Sequence, residues 1–431
     1  MKEESIRAGS IWMVGSQFAT MALQAAYFVL MGRRLGSREY GAFVGVVALV
    51  ALLAQFSSAG MEMILLRNVS RDRRSFAATW GSALRVSLCG FVVLLAAATF
   101  FGRIILRPEL RLLIPWIAVS DGLFGKLVQL ATRAFQGAGQ MRYCAHFTAA
   151  IYAGRAILAA ALYLYVCLGA GHADAYTWAR IYWLSPFAAS IVACCTVTAK
   201  LGWPRFERLR LADLTEGFSF SLSGSSSSLY NDIDKTFLVS LGQTYAAGIY
   251  SAAYRVIDAA SAPLYGIYTA ATPRLFREGA RGVDRAHAQT RRLMLRTVPY
   301  GAASALALYY GAGLLPRLFG PSFQGSVAAL RWLCLLPLLR VLHYAWGTAI
   351  TASASQWNRT VPQLGAAGLN LLLNCLLIPR WSWQGAAVAS LLTDGSLAIS
   401  SRFVLWRIQK REGSARQAQP THLAAARSVE S

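Results

Sequence analysis

Lys126, Gln129, Arg133 and Gln136 recur at helical spacing inside an otherwise apolar stretch. At about 100° per residue they fall within roughly 80° of arc, one polar stripe with Asp121 just beside it. Cations held on one face in apolar surroundings mark a path for an anion. Arg155, Arg255, Arg340 and Asp394 add single charges in other apolar stretches, with His343 one turn beyond Arg340. Tyr250, Tyr254, Asp258, Ser261, Tyr265, Tyr268 and Thr272 keep the helical period and put aromatic rings and hydroxyls on one face. The preceding segment carries two polar stripes: Ser219, Ser223, Ser227, Tyr230 and Asp234 on one, Ser221, Ser225, Ser228, Asp232 and Lys235 on the other.

An ionisable side chain at mid-bilayer costs at least ~2.5 to 3.5 kcal/mol, so each needs a partner, water or a function. Lys126 and Arg155 lie too deep in their helices to reach an interface, which predicts that at least one of them lines a solvated cavity. Arg85 and Arg331, near helix ends, can snorkel. Arg255 and Asp258 are spaced i to i+3, which suits an ion pair as well as a ligand role. His343 reads as a satisfied core histidine rather than a proton relay. The seven cysteines have no CxxC or Cys/His spacing and read as small core hydrophobes; no metal or cofactor is expected.

The elements that hold these groups follow from composition. Of 431 residues 56% are apolar and 14% charged, and the mean hydropathy is +0.43. Such a body lacks the polar surface to face water all round, so lipid must be its solvent. The net charge of +23 sits in short clusters between apolar runs, a pattern of membrane topology that speaks against a nucleic-acid partner. Hydropathy predicts about twelve spans: 9–31, 41–61, 80–101, 112–136, 145–168, 177–199, 218–241, 245–271, 297–315, 328–350, 361–378 and 383–406. The first is too long for a signal peptide and is predicted to remain as a span. Trp12, Trp80, Trp116, Trp178, Trp203, Trp332, Trp381, Trp383 and Trp406 lie near proposed helix ends, as an interfacial belt requires.

Lys and Arg set the orientation. One set of loops carries Arg67, Arg71, Arg73, Arg74, Lys200, Arg205, Arg208, Arg210, Arg274, Arg277, Arg281, Arg285, Arg291, Arg292, Arg407, Lys410 and Arg411. The other has little beyond Arg33, Arg34, Arg38, Arg103, Arg107 and Arg111, which predicts cytoplasmic termini. The chain also matches itself: Leu35-Gly36 followed by Gly41, a long span and Arg67 parallels Leu241-Gly242, Gly248, a long span and Arg274. A duplicated six-helix unit is the economical reading, an all-α polytopic fold with two pseudo-symmetric lobes around a central cavity. The expected division is 1–203 for the first lobe, 204–217 for a cytoplasmic linker, 218–411 for the second lobe and 412–431 for a disordered tail.

Three stretches carry a family resemblance: Gly9-Ser-Ile-Trp-Met-Val-Gly-Ser-Gln17, the turn from Leu35-Gly36 to Tyr40-Gly41, and the segment 218–277. The last includes Asp234-Lys-Thr-Phe-Leu, Gly248-Ile-Tyr250-Ser-Ala-Ala-Tyr254-Arg255 and Pro273-Arg-Leu-Phe276. Over about 6–411 the chain resembles the polysaccharide-transporter flippases of the multidrug/oligosaccharidyl-lipid/polysaccharide exporter superfamily. A charged residue inside the first helix, present in some relatives, is replaced here by Gln17 and Gln24.

The resemblance implies a two-lobed carrier in the bacterial cytoplasmic membrane. It would work by alternating access on a polyprenyl-diphosphate-linked oligosaccharide, with a polysaccharide polymerase and chain-length machinery as partners. In that picture cations including Lys126, Arg155 and Arg255 hold the diphosphate, and Tyr250, Tyr254, Tyr265 and Tyr268 offer aromatic and hydroxyl surface to the sugars. Gln129, Arg133, Asp234, Lys235, Asp258 and Arg340 complete the expected substrate-binding set. Two rivals are a drug or cation antiporter of the same superfamily and a membrane polymerase or glycosyltransferase. The sequence has no Walker lysine motif, HExxH or GxSxG, and its outer loops are too short to house catalysis, so a transporter rather than an enzyme is expected.

Overall fold

In the first helix the chain reverses without a loop. α1 runs Ile6–Ala54, and Gly36, with φ 73°, breaks it at the predicted Leu-Gly turn into two spans. A left-handed φ is strained for any residue with a Cβ, so the turn depends on glycine. α13, Gln356–Ala418, is likewise divided, at Ser382 with φ 54°. This computed structural model describes residues 6–169, 171–207, 209–279, 283–353 and 356–418, with backbone alone at 6–14, at 412–418 and at a few positions between. The side chains of Trp12, Ser223, Ser227, Thr272 and Arg277, the loop cations Arg208 and Arg281, and residues 419–431 of the expected tail lie outside the described residues.

After α1 come α2 (Met61–Arg71) and α3 (Phe76–Ile105). A continuous stretch follows: Pro108–Arg111, Ile114–Ile117, a π-helical segment Ala118–Phe124, and α4 (Gly125–Gly137). Then come α5 (Met141–Cys167), α6 (Ala175–Tyr182), α7 (Leu184–Leu201), α8 (Leu211–Ser240), α9 (Thr244–Gly279) and α10 (Val283–Gly311). A short helix Leu315–Phe319, α11 (Ser326–Leu333), α12 (Leu336–Ser353) and α13 complete the chain, and no strand occurs among the described residues.

Seven helical stretches of the described residues are long and apolar enough to cross a membrane. Dividing the first and last at Gly36 and Ser382 makes nine. α8, α9 and α10, of 30, 36 and 29 residues, are as long but more polar, and bring the number to the twelve expected. Their polarity is that of the serine and tyrosine stripes. The outward faces are apolar, with Val92, Val93, Ile157 and Ile399 each more than 60% exposed, as befits a surface whose solvent is lipid.

The chain forms two compact units. The first reaches to Ala252 and takes in Gly313–Val327 and Ile378–Trp383; the second comprises Ala253–Ala312, Ala328–Leu377 and the chain from Gln384 on. In the first, Met61, Ile64, Leu65 and Val69 line one face of α2, at the spacing of an amphipathic helix, and pack with Phe76 and Trp80 of α3 and Phe135 of α4. Ala131 and Ala134 on α4 let the helices approach closely. In the second unit α10 packs along α12, and a Cβ on Gly301 would sit 3.2 Å from the Leu338 backbone.

The two matched turns of the sequence meet each other inside the first unit. Gly36 and Gly242 both adopt left-handed φ, and beyond them the backbones cross: a Cβ on Gly41 would strike the Thr244 carbonyl and the Gly248 nitrogen, and one on Gly248 the Ser37 carbonyl. Around the crossing, Ser37 N–H donates to Ser322 Oγ (3.2 Å) and Ser382 donates to Gln243 Oε1 (2.6 Å). Arg33 donates to the carbonyls of Arg317 (2.6 Å) and Leu318 (2.7 Å). At the opposite end of this unit Gly60 abuts Gly217, Arg205 N–H donates to the Ala77 carbonyl (2.8 Å) and Arg67 pairs with Glu216.

Three expectations need correction. The second span is expected to end near residue 61, but the helix stops at Ala54, and Gln55 to Gly60 turn the chain into α2. Trp80 and Trp178 are fully buried, packing the core rather than forming an interfacial belt, whereas Trp203, Trp332, Trp381 and Trp406 are exposed near helix ends. Only Cys144 and Cys334 are buried core hydrophobes; Cys89, Cys167, Cys195 and Cys375 are exposed on apolar faces, where a thiol is as acceptable to lipid as to core. All seven are free thiols.

Candidate functional site

The stripe predicted on the fourth span stands on α4. Lys126, buried, lies 3.6 Å from Glu62 Oε1, and Ser58 Oγ donates to Glu62 Oε2 at 2.5 Å. Glu62 falls in the first turn of α2, where hydropathy reads only the end of a span; an acid preceding the apolar face of α2 is the signal for it. Two turns on, Arg133 is half-buried; it donates to Gln136 Oε1 at 2.7 Å, its Nε has no acceptor, and no carboxylate of the described residues pairs with it. Gln129 lies half-buried on the same face.

Arg155 is held from three sides. It donates to Asp121 Oδ1 at 2.5 Å and to Ser120 Oγ at 3.3 Å, while Tyr182 OH donates to Asp121 Oδ2 at 3.1 Å. The guanidinium lies 4.0 Å from the centre of the Tyr182 ring and 5.7 Å from that of Tyr152. Ser120 and Asp121 are presented by the π-helical segment, whose wider turn re-aims side chains that an α-helix would space differently. Arg155 is buried, 8% exposed, and paired with Asp121.

At the end of α8, Tyr250 OH donates to Asp234 Oδ2 at 2.5 Å, and Lys235 pairs with Asp232 while its backbone N–H donates to Asp234 Oδ1 at 2.7 Å. Tyr250, Asp234 and Lys235 are all buried, so the Tyr250 hydroxyl is committed to protein.

In the second unit Arg340 is the hub. It donates to Asp258 Oδ1 (2.9 Å) and Ser261 Oγ (3.2 Å), its Nε is 4.0 Å from Asp394, and His343 Nε2 is 3.6 Å from the same carboxylate. The Tyr254 ring lies 6.0 Å from the guanidinium. Tyr268, buried, hydrogen-bonds Thr297 at 3.0 Å, whereas Tyr265 is exposed. Among its described residues the expected tyrosine face is therefore split, with Tyr250, Tyr254, Ser261 and Tyr268 buried and Tyr265 and Asp258 exposed. Arg255 is half-buried on α9. Because Arg340 serves two carboxylates, Arg340→Gln is expected to lower stability by about 3 kcal/mol and Asp394→Asn by clearly less, a ranking that thermal unfolding in detergent reads directly.

The sequence-predicted residues thus fall into three groups: Lys126, Gln129 and Arg133 on α4; Asp234, Lys235 and Tyr250 at the end of α8; and Tyr254, Asp258 and Arg340 in the second unit. Arg155 stands with Asp121. Among the described residues no group of His, Cys, Asp and Glu is arranged to hold a metal.

These helices are those of a polytopic membrane protein. The chain is similar, over 93% of its length and 96% of the other, to an inward-facing multidrug resistance MATE family transporter of the MOP superfamily, at 16% identity and a TM-score of 0.75. It is also similar to an outward-facing multidrug resistance MATE family transporter, at 15% identity, TM-score 0.60 and the same coverage. A third likeness, with 16% identity, TM-score 0.58 and 93% coverage of both chains, is to a MOP superfamily transporter from Pyrococcus furiosus whose binding pocket of reversed polarity suggests a different function. Among curated proteins none matches. The profile of the polysaccharide biosynthesis protein family matches residues 6–278, and the chain belongs to that family.

Proposed function

We propose that the protein is a flippase that moves a polyprenyl-diphosphate-linked oligosaccharide, a repeat unit of a surface polysaccharide, across the bacterial cytoplasmic membrane by alternating access. The observation that carries this reading is the coincidence of a polysaccharide biosynthesis sequence with the fold of an exporter. With both termini cytoplasmic, as the basic loops favour, an anionic headgroup would move outward with the inside-negative potential, which supplies ~2.3 kcal/mol per charge per 100 mV.

Arg133 is the best contact for the diphosphate. It keeps a free Nε beside Gln136, with Gln129 and Lys126 on the same face. Lys126 and Arg155 each sit against an acid, so their part is to shape the site as well as to charge it. A polysaccharide polymerase and chain-length machinery would act on the product.

A deletion strain is expected to accumulate lipid-linked repeat units in the inner leaflet and to lose surface polysaccharide. The intact gene should restore export, and Arg133→Gln should restore it poorly while inserting normally. Full export in the deletion strain would sink the reading. The drug or cation antiporter is the second reading, favoured by the multidrug transporters among the similar structures and by the acids Asp258 and Asp394 beside Arg340. Raised drug susceptibility with unchanged polysaccharide in the same strain would select it.

A further inference from the structure

The apolar band of the first unit ends, where α5 begins and α7 ends, in a basic groove that the transport reading leaves unused. Arg142, Tyr143, His146, Phe147 and Thr196 line a cavity of about 410 Å³, open to the outside, and none of the five is acidic. Two cations gather at Tyr143, with the Arg142 guanidinium 4.9 Å and the Lys200 ammonium 5.3 Å from the centre of its ring. Stacking on Phe135 at 4.6 Å fixes that ring, and Arg142 also donates to its hydroxyl at 3.0 Å. Lys200, in the last turn of α7, is exposed and has no carboxylate partner among the described residues.

Below the cations the surface turns apolar. Val192, Cys195 and Ala199 share the outward face of α7, and Ile157 continues the α5 face that carries Arg142 and His146. A fixed pair of cations above an apolar track has the charge and the polarity profile of a phospholipid with an anionic headgroup. Basic pockets between spans at the end of the hydrocarbon zone bind such lipids, and a guanidinium offers bidentate hydrogen bonds to phosphate.

We propose that this groove is a binding site for one anionic phospholipid, whose phosphate sits between Arg142 and Lys200 and whose acyl chains run along Val192 and Ile157. It is independent of the translocated substrate. Arg142 and Lys200 form the head site around Tyr143, and His146 lines the same groove.

Full-length protein reconstituted in vesicles of equal phosphatidylglycerol and phosphatidylcholine, then released into detergent for native mass spectrometry, tests it. The unaltered protein is expected to retain phosphatidylglycerol in preference to phosphatidylcholine. Arg142→Gln with Lys200→Gln should lower that retention by about twenty-five-fold, since each basic residue at a lipid surface contributes about fivefold. Arg142→Lys with Lys200→Arg should keep it, and Lys200→Gln alone, a change at an exposed helix end, should lower it about fivefold. Equal retention of both lipids overturns the proposal. So does an equal loss from the exposed pair Arg285→Gln and Arg292→Gln, which removes the same charge elsewhere. Displacement of the lipid by inorganic phosphate assigns the site to free anion and overturns it too.

Discussion

Gly248→Val is expected to cost about 3 kcal/mol or more of stability and, on the proposed function, to remove surface polysaccharide in a complementation assay along with it. The reason is what the new side chain would meet. At Gly248 the first atom added would run into the Ser37 carbonyl, and at Gly41, opposite, into the Thr244 carbonyl and the Gly248 nitrogen. All of these are backbone, so no rotamer change makes room; the helices themselves must part. Parting them also strains the Ser37 to Ser322 hydrogen bond beside the crossing. Gly266, on the same α9, has nothing within 4 Å of where a methyl would stand, and Gly266→Ala is expected to leave stability unchanged or raise it by up to about 1 kcal/mol. Equal unfolding temperatures for the two variants would show that the backbones do not cross at Gly248.

Asp121→Asn is the second large effect, about 3 to 5 kcal/mol, because it leaves the Arg155 charge inside without its counter-ion. The Tyr182 hydroxyl and Ser120 remain but cannot neutralise a guanidinium. Removing both charges, as Asp121→Asn with Arg155→Gln, should recover most of the lost stability, since a neutral polar pair in place of a buried ion pair is often tolerated. The double variant also sorts out what Arg155 does. If it folds and still exports polysaccharide, Arg155 is a structural cation; if it folds and does not, the guanidinium contributes to transport beyond its pairing. A double variant as unstable as Asp121→Asn alone would rule out charge compensation as the reason for the pair.

Hydropathy and spacing made the helices legible, including the two turns at Gly36 and Gly242, because a left-handed φ leaves glycine as the natural choice and glycine shows in a sequence. The same reading placed Lys126, Gln129 and Arg133 on one face, since a helix fixes which residues share a side. What it could not supply was the opposite side. Glu62 reaches Lys126 from α2 and Asp121 reaches Arg155 from 34 residues earlier, and periodicity within one helix says nothing of what faces it. The face on α9 shows the same limit: Tyr250 and Tyr254 share spacing with Tyr265, yet the first two are buried against partners and the third is exposed. Trp80 and Trp178 were misplaced for a related reason, as a tryptophan at a helix end suits an interface and a core equally.

The π-helical segment at Ala118–Phe124 sets the aim of Ser120 and Asp121. Its wider turn holds about one residue more than an α-helix over the same arc, so loss of a single residue there would let the ladder close into an ordinary α-helix and leave Lys126 and Arg133 near their present bearing, while Ser120 and Asp121 would be re-aimed. The compass direction of the Arg155 counter-ion is therefore encoded in chain length as much as in side-chain identity.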